Sequence, residues 1–154
     1  MTHMGNITAV IYLRRSTEDN GKPVGHNGSM NIGYVNLYVD DLDAATSFYE
    51  GQLGFKLHFR DDDHSFASFD AGPVSLGIAA IDSSDPDQMA MVGGLRGVGI
   101  VVDDLDAEHQ RLASLGVAFH QLPERMPWGG YLALIEDPAG NILYLDEASA
   151  AHPD

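Results

Sequence analysis

The chain has 154 residues, 44% of them hydrophobic, and no cysteine. That suits one ordinary domain or two half-domains sharing a core, and it excludes disulfides and thiolate metal sites. Lys and Arg number 8 against 23 Asp and Glu, a net charge of −15, so nucleic acid and membranes are poor partners and cationic small molecules are good ones.

Residues 1–29 come first and stand apart. They carry Arg14, Arg15 and Lys22 against Glu18 and Asp19, a net of +1, which leaves −16 on residues 30–154. Ile7–Leu13 is the longest apolar stretch. It is far too short to span a bilayer and has no basic segment before it, so it reads neither as a membrane span nor as a signal peptide. A cytoplasmic setting is the expectation. Two readings of residues 1–29 stay open: a native extension, with Ile7–Leu13 as an edge strand or a dimer arm, or an expression remnant. Thr17–Ser29 is polar and glycine-rich and reads as a loop.

From Met30 the chain repeats itself. Tyr34-Val-Asn-Leu-Tyr-Val-Asp-Asp-Leu-Asp-Ala44 matches Gly97-Val-Gly-Ile-Val-Val-Asp-Asp-Leu-Asp-Ala107. Each is an alternating strand running into paired aspartates, which suit a helix N-terminus. Ala45, Phe48, Tyr49 and Leu53 give helical spacing in the first copy; His109, Leu112 and Leu115 do so in the second. Both helices stop at Leu-Gly, Leu53-Gly54 and Leu115-Gly116, where glycine fits a left-handed turn. Strands Phe55–Arg60, Ser65–Asp70 and Val74–Ile81 follow in the first copy. Val117–Gln121, Tyr131–Glu136 and Ile142–Asp146 follow in the second. The organisation is therefore an N-terminal extension (1–29), a βαβββ module (30–81), a linker (82–94), a second βαβββ module (95–147) and a short tail (148–154).

The opening Val-Asp-Asp-Leu-Asp, Phe48-Tyr49 and Leu53-Gly54-Phe55, together with Pro127-Trp128-Gly129 and Asp137-Pro-Ala-Gly-Asn141, resemble the vicinal-oxygen-chelate superfamily of glyoxalases, bleomycin-resistance proteins and extradiol dioxygenases. The second pair of motifs is most similar to the bleomycin-resistance branch. The resemblance covers about residues 30–147. It implies an α+β fold in which two tandem βαβββ modules form a curled, cup-shaped mixed sheet with helices on the outside. In the family's enzymes the cup holds a divalent metal on His, Gln and Glu ligands from first and last strands. Carried over, those positions are Tyr34, Gly97 and Tyr144, with Gly77 late in the first module. Glycine offers no ligand and a neutral phenol is a poor one, so no metal and no other cofactor is expected.

Strand alternation puts Tyr34, Asn36 and Tyr38 inside the cup, with Gly97, Gly99, Val101, Ile142 and Tyr144 opposite and Ser75, Gly77 and Ala79 on the remaining wall. Tyrosines beside stripped positions suggest room for a planar ligand. Trp128, the sole tryptophan, falls at the rim. The symmetry-related His58 and His120 complete the candidate ligand-binding set of Tyr34, Asn36, Tyr38, Gly97, Trp128, Tyr144, His58 and His120. The expectation is a metal-independent binding protein that sequesters a cationic or planar aromatic molecule, as in antibiotic resistance, and works as a homodimer with no catalytic residue. Two alternatives stay open: a metal-dependent glyoxalase- or dioxygenase-like enzyme with relocated ligands such as His58, His120 and Glu136 or Asp70, and a degenerate subunit without a ligand.

Overall fold

The computed structural model describes residues 29–148; the expectations for Ile7–Leu13 and the C-terminal tail lie outside them. Each repeat starts from the same local device. Strand β1 (Tyr34–Val39) leads to Asp41, whose side chain accepts from the Ala44 N–H at 3.1 Å and starts helix α1 (Leu42–Thr46). In the second repeat Asp104 accepts from Ala107 N–H at 3.1 Å and starts α3 (Leu105–Ser114). An aspartate that satisfies an otherwise orphaned helix-end donor is worth about 1 kcal/mol. Gly54 and Gly116 close both helices at φ 89° and 84°, where a side chain would strain the backbone.

The helices differ in one respect. Leu53 lies ten residues after Asp43, whereas Leu115 lies nine after Asp106. The extra residue is absorbed by widening: after Thr46 the first helix continues as a π-helix, Ser47–Gln52, with the Leu53 N–H donating to the Phe48 carbonyl five residues back at 2.8 Å. The helix expected from spacing is present, part α and part π.

The first module continues with β2 (Lys56–Asp61), β3 (Phe66–Asp70) and β4 (Ser75–Ala80). The linker contains a short helix α2 (Pro86–Met89), capped by Asp85. Strands β5 (Gly94–Val102), β6 (Ala118–Arg125), β7 (Tyr131–Glu136) and β8 (Asn141–Glu147) build the second module around α3. Hydrogen bonding divides them into two four-stranded mixed sheets, β1-β4-β3-β2 and β5-β8-β7-β6, in which only β1–β4 and β5–β8 run parallel. The fold is thus α+β with two βαβββ modules.

One face of each sheet packs into a shared core. Leu37, Val39, Phe69 and Ile78 of the first sheet and Ala133, Ile135, Leu143 and Leu145 of the second are buried in one cluster with Phe48, Tyr49, Leu105 and Leu112 of the helices. The opposite faces, away from the helices, therefore turn away from that core. A polar clamp fixes the modules to each other. The Tyr49 hydroxyl donates to Asp137 Oδ2 at 2.7 Å; Asn141, fully buried, donates from Nδ2 to the Tyr38 carbonyl and to Asp137 Oδ2, both at 2.9 Å, and accepts from Gly93 N–H at 2.8 Å. The Asp-Pro-Ala-Gly-Asn turn thereby ties the second module to the helix and first strand of the first. Burial, then Asp137, push the Tyr49 phenol far above its ordinary pKa.

Candidate functional site

The far faces carry the residues singled out from sequence, and strand register sorts them into rows. In the first module the rows are Tyr34–Ser75–Asp70, Asn36–Gly77–Ser68 and Tyr38–Ala79–Phe66. Tyr34, Asn36 and Tyr38 thus share one face, as alternation requires. In the second the rows include Gly99–Tyr144–Leu134 and Val101–Asp146–Leu132.

Two glycines prove to have local duties. A Cβ on Gly77 would lie 2.1 Å from Asn36 Oδ1 and 3.1 Å from the Phe66 ring. The Asn36 amide occupies that place, so Gly77 does not leave a void. Gly97 sits where the β5–β8 register slips between Leu95 and Gly99, at φ 72°. Glycine there answers first to the backbone, because a side chain is strained at that φ. Gly99 is different: a Cβ there would make only ordinary contact, 3.9 Å from Tyr144 Cβ. The Asn36–Gly77 pairing joins positions 41 residues apart and the Gly97 bulge belongs to two paired strands, and periodicity does not reveal either.

The two faces are unlike in exposure. Phe66 and Ser68 are 0% exposed and Ala79 2%, packed with Tyr38 and Phe59. Burial, with a smaller opposing contribution from Asn36, raises the Tyr38 phenol above its usual pKa. In the second module Val101 is 68% exposed, Gly97 and Gly99 are exposed, and Tyr144, Leu132 and Leu134 are half-buried. Trp128 is 63% exposed and its indole Nε1 lies over Gly130, where a Cβ would come within 2.7 Å. One side of the ring rests on the turn and the rest faces solvent. Beside it the Arg125 guanidinium stacks 4.6 Å from the centre of the Tyr131 ring, whose hydroxyl donates to Asp106 at 2.6 Å. That hydrogen bond raises the Tyr131 pKa.

Charge on the far faces is one-sided. Register places Asp61, Asp70, Glu124, Glu136 and Asp146 there, against Lys56. His58 lies 3.9 Å from Asp70, half exposed, at an irregularity in β2. His120 is exposed at an irregularity in β6, in the other sheet. Beyond the His58–Asp70 pair the proposed alternative set does not assemble: among the described residues, no three His, Asp or Glu side chains converge as a metal set would. Tyr34, Gly97 and Tyr144, the positions that the resemblance implies for the ligands, offer a metal two phenols and no third side chain, which does not fit it. A cavity of about 360 Å³ lies between the modules, lined by Leu37, Ile100 and Leu143 from core-facing positions and by Ser75, Gly99 and Val101 from the far-face rows. Its lining is mostly hydrocarbon and offers few groups to orient a polar ligand.

A family model described as "Glyoxalase/Bleomycin resistance protein/Dioxygenase superfamily" matches residues 31–145. The chain belongs to this superfamily. It is 31% identical over 118 residues to a bleomycin resistance protein of Klebsiella pneumoniae, covering 71% of this chain and 86% of that one. Among solved structures it is similar to TnmS3, an antibiotic binding protein from Streptomyces sp. CB03234, with 28% identity, TM-score 0.65, and coverage of 80% of this chain and 100% of that one. It is also similar to a lactoylglutathione lyase from Agrobacterium tumefaciens, with 26% identity, TM-score 0.60, and coverage of 79% and 96%. Similar proteins thus include a resistance protein, an antibiotic binding protein and a lyase. No helix among the described residues is long and apolar enough to cross a membrane.

Proposed function

We propose that this chain is a binding protein that sequesters a cationic, partly planar small molecule without a metal. What carries this reading is the set of side chains at the positions that the resemblance implies for metal ligands. Tyr34, Gly97 and Tyr144 replace metal donors with flat apolar surface and open space. Trp128, backed by Gly130 and otherwise exposed, adds a stacking surface at a turn. The far-face carboxylates Asp61, Asp70, Glu124, Glu136 and Asp146 favour a positive charge and raise its encounter rate. The names of the Klebsiella and Streptomyces relatives point to the same class of ligand, an antibiotic.

A homodimer is part of the proposal. Within one chain the helix-side faces share a core, so the two far faces do not close on each other. A second copy would let the first module of one chain face the second module of the other and complete two equivalent cups. Tyr34, Asn36, Tyr38 and His58 would then form one wall, and Gly97, Tyr144, His120 and Trp128 the other.

Trp128 is the sole tryptophan, so its fluorescence is a private reporter. Titration with bleomycin, a cationic glycopeptide, is expected to change that emission with a Kd in roughly the micromolar range or tighter. The signal should weaken with salt. No change with bleomycin or other planar cations up to about 1 mM would overturn the reading. Stoichiometric metal in protein purified without chelator, with lyase or dioxygenase turnover, would replace it by the enzymatic one.

A further inference from the structure

The space between the modules is not filled throughout. A cavity of about 360 Å³ is left there, and both first strands, β1 and β5, line it. Protein interiors are normally close-packed, with few voids larger than a water molecule. The walls come from equivalent positions of the repeat. Val35 and Leu37 of β1 match Val98 and Ile100 of β5, and Leu76 of β4 matches Leu143 of β8. All six are branched aliphatic side chains. Among the described residues that line the cavity, none is charged and Ser75 brings the one polar side chain. Ser75, Gly99 and Val101 belong to the far-face rows, and Val101 is 68% exposed, so the cavity opens to solvent on that side. Gly99 stands at this mouth with no local reason to be glycine. Its φ is not left-handed, and a Cβ there would meet only Tyr144 Cβ, at 3.9 Å. Gly77 and Gly97, in contrast, answer to the Asn36 amide and to a left-handed φ. A residue without a side chain at position 99 keeps the entrance wide.

We propose that this cavity binds an uncharged hydrocarbon group about the size of two fused aromatic rings. Size, lining and charge set that class. An apolar cavity of about 150 Å³ is enough to hold benzene, and this one has roughly twice that volume. An ion entering it would give up its hydration and meet no charged side chain in return. Acids are repelled besides, because residues 30–154 carry a net −16. A hydrocarbon has the opposite balance. It leaves water on entering, and it supplies the van der Waals partners that the atoms of an unfilled wall lack. Tyr34, Asn36, Tyr38, Tyr144 and Trp128 are not among the residues that line the cavity. The inference therefore goes beyond the cationic-ligand reading and does not rest on it.

The test titrates naphthalene into the full chain and follows its carbon-13-labelled methyl groups by NMR. The methyls of Val35, Leu37, Leu76, Val98, Ile100 and Leu143 are expected to shift, with a Kd below about 100 µM. Leu122, on β6 and 61% exposed, should not respond. Val98→Phe fills the cavity from its wall. It should weaken binding at least roughly tenfold while its urea midpoint stays at or above that of wild type. Gly99→Leu, at the mouth, should weaken binding by roughly tenfold as well, and Leu122→Ser should leave it unchanged. Naphthalenesulfonate and naphthylmethylammonium add a negative and a positive charge to the same rings. Each should shift the cavity methyls at least roughly tenfold more weakly than naphthalene. No methyl shift in a naphthalene-saturated solution overturns the proposal. So do shifts that reach Leu122 equally, or either charged probe binding the cavity as well as naphthalene. A folded Val98→Phe that binds like wild type overturns it too; should that variant unfold, Gly99→Leu decides by the same criterion. A bleomycin response at Trp128 that survives any of these results leaves the cationic-ligand reading standing, so the two fail separately.

Discussion

On the central row of the first module's far face, Asn36 of β1 leans over Gly77 of β4; on the matching row of the second, the large residue is Tyr144 of β8 and the glycine is Gly99 of β5. Each row keeps one large side chain and one glycine, with their strands exchanged. The comparison teaches that the duplication held on to backbone devices while the size and chemistry of the side chains drifted. One half offers an amide and phenols on a closed surface. The other offers a phenol, Val101 and two exposed glycines on an open one. Two unlike halves suit a ligand with unlike ends better than two copies of one metal-binding wall would.

The clamp is the sharpest asymmetry, because only the second module's turn supplies it. Replacing Asn141 with Ala removes hydrogen bonds to Tyr38, Asp137 and Gly93 at a fully buried position. The expected loss is about 3 kcal/mol in urea unfolding; a loss below about 1 kcal/mol would mean the shared core alone sets the module geometry. Tyr49→Phe is milder, about 2 kcal/mol, since it strips a single donor from buried Asp137. It also has a pH signature. Burial raises the folded-state pKa of Tyr49 above the unfolded value near 10.0. Its stabilising contribution is therefore fully present below that value and lost as pH climbs above it. Wild-type stability should fall above pH 10.0, and Tyr49→Phe should show a shallower fall.

Much of the scaffold was legible because its signals are local. Asp41 and Asp104 cap, Gly54 and Gly116 stop their helices, and the Asp137–Asn141 turn precedes the last strand, each within a few residues of what it controls. The extra residue before Leu53 was also visible in the repeat, but helical spacing does not separate a π-helix from an α-helix over so short a span. The site was less legible, since its geometry rests on distant pairs. Tyr49 meets Asp137 across 88 positions, and Asn36 fills the space above Gly77 only because β1 and β4 pair in that register. The slip that demands glycine at position 97 is a property of two paired strands, not of either sequence alone. The unlike exposure of the two far faces depends on what lies across each sheet, which alternation within a strand does not encode.

The exchanged glycines give a direct test of the side-chain comparison. Gly77→Ala would set a methyl 2.1 Å from Asn36 Oδ1, so the amide must leave, at an expected cost of about 1.5 kcal/mol. Gly99→Ala meets Tyr144 only at 3.9 Å and should stay within about 0.5 kcal/mol of wild type. In an Asn36→Ala background the Gly77→Ala cost should largely vanish, and a double-mutant cycle in urea measures that coupling. Equal costs at both glycines would break the picture of exchanged slots.

The smallest expected effects belong to the features the modules share. Asp41→Ala and Asp104→Ala each remove one side-chain acceptor from a helix start with the same 3.1 Å geometry, so each should lose about 1 kcal/mol. The two helices are unequal beyond the cap: α1 has five residues before the π-helix begins, and α3 runs for ten. A π-turn is poorly populated unless its surroundings hold it. If the cap also anchors that wide turn, Asp41→Ala will cost more than Asp104→Ala and will loosen the Tyr49–Asp137 contact. Coupling between Asp41→Ala and Tyr49→Phe then exceeds about 0.5 kcal/mol, where independent sites would add. Equal, additive losses would show that the first module's π-helix is held by the core and the clamp, and that the duplicated caps still do equal service in two halves that no longer resemble each other on their far faces.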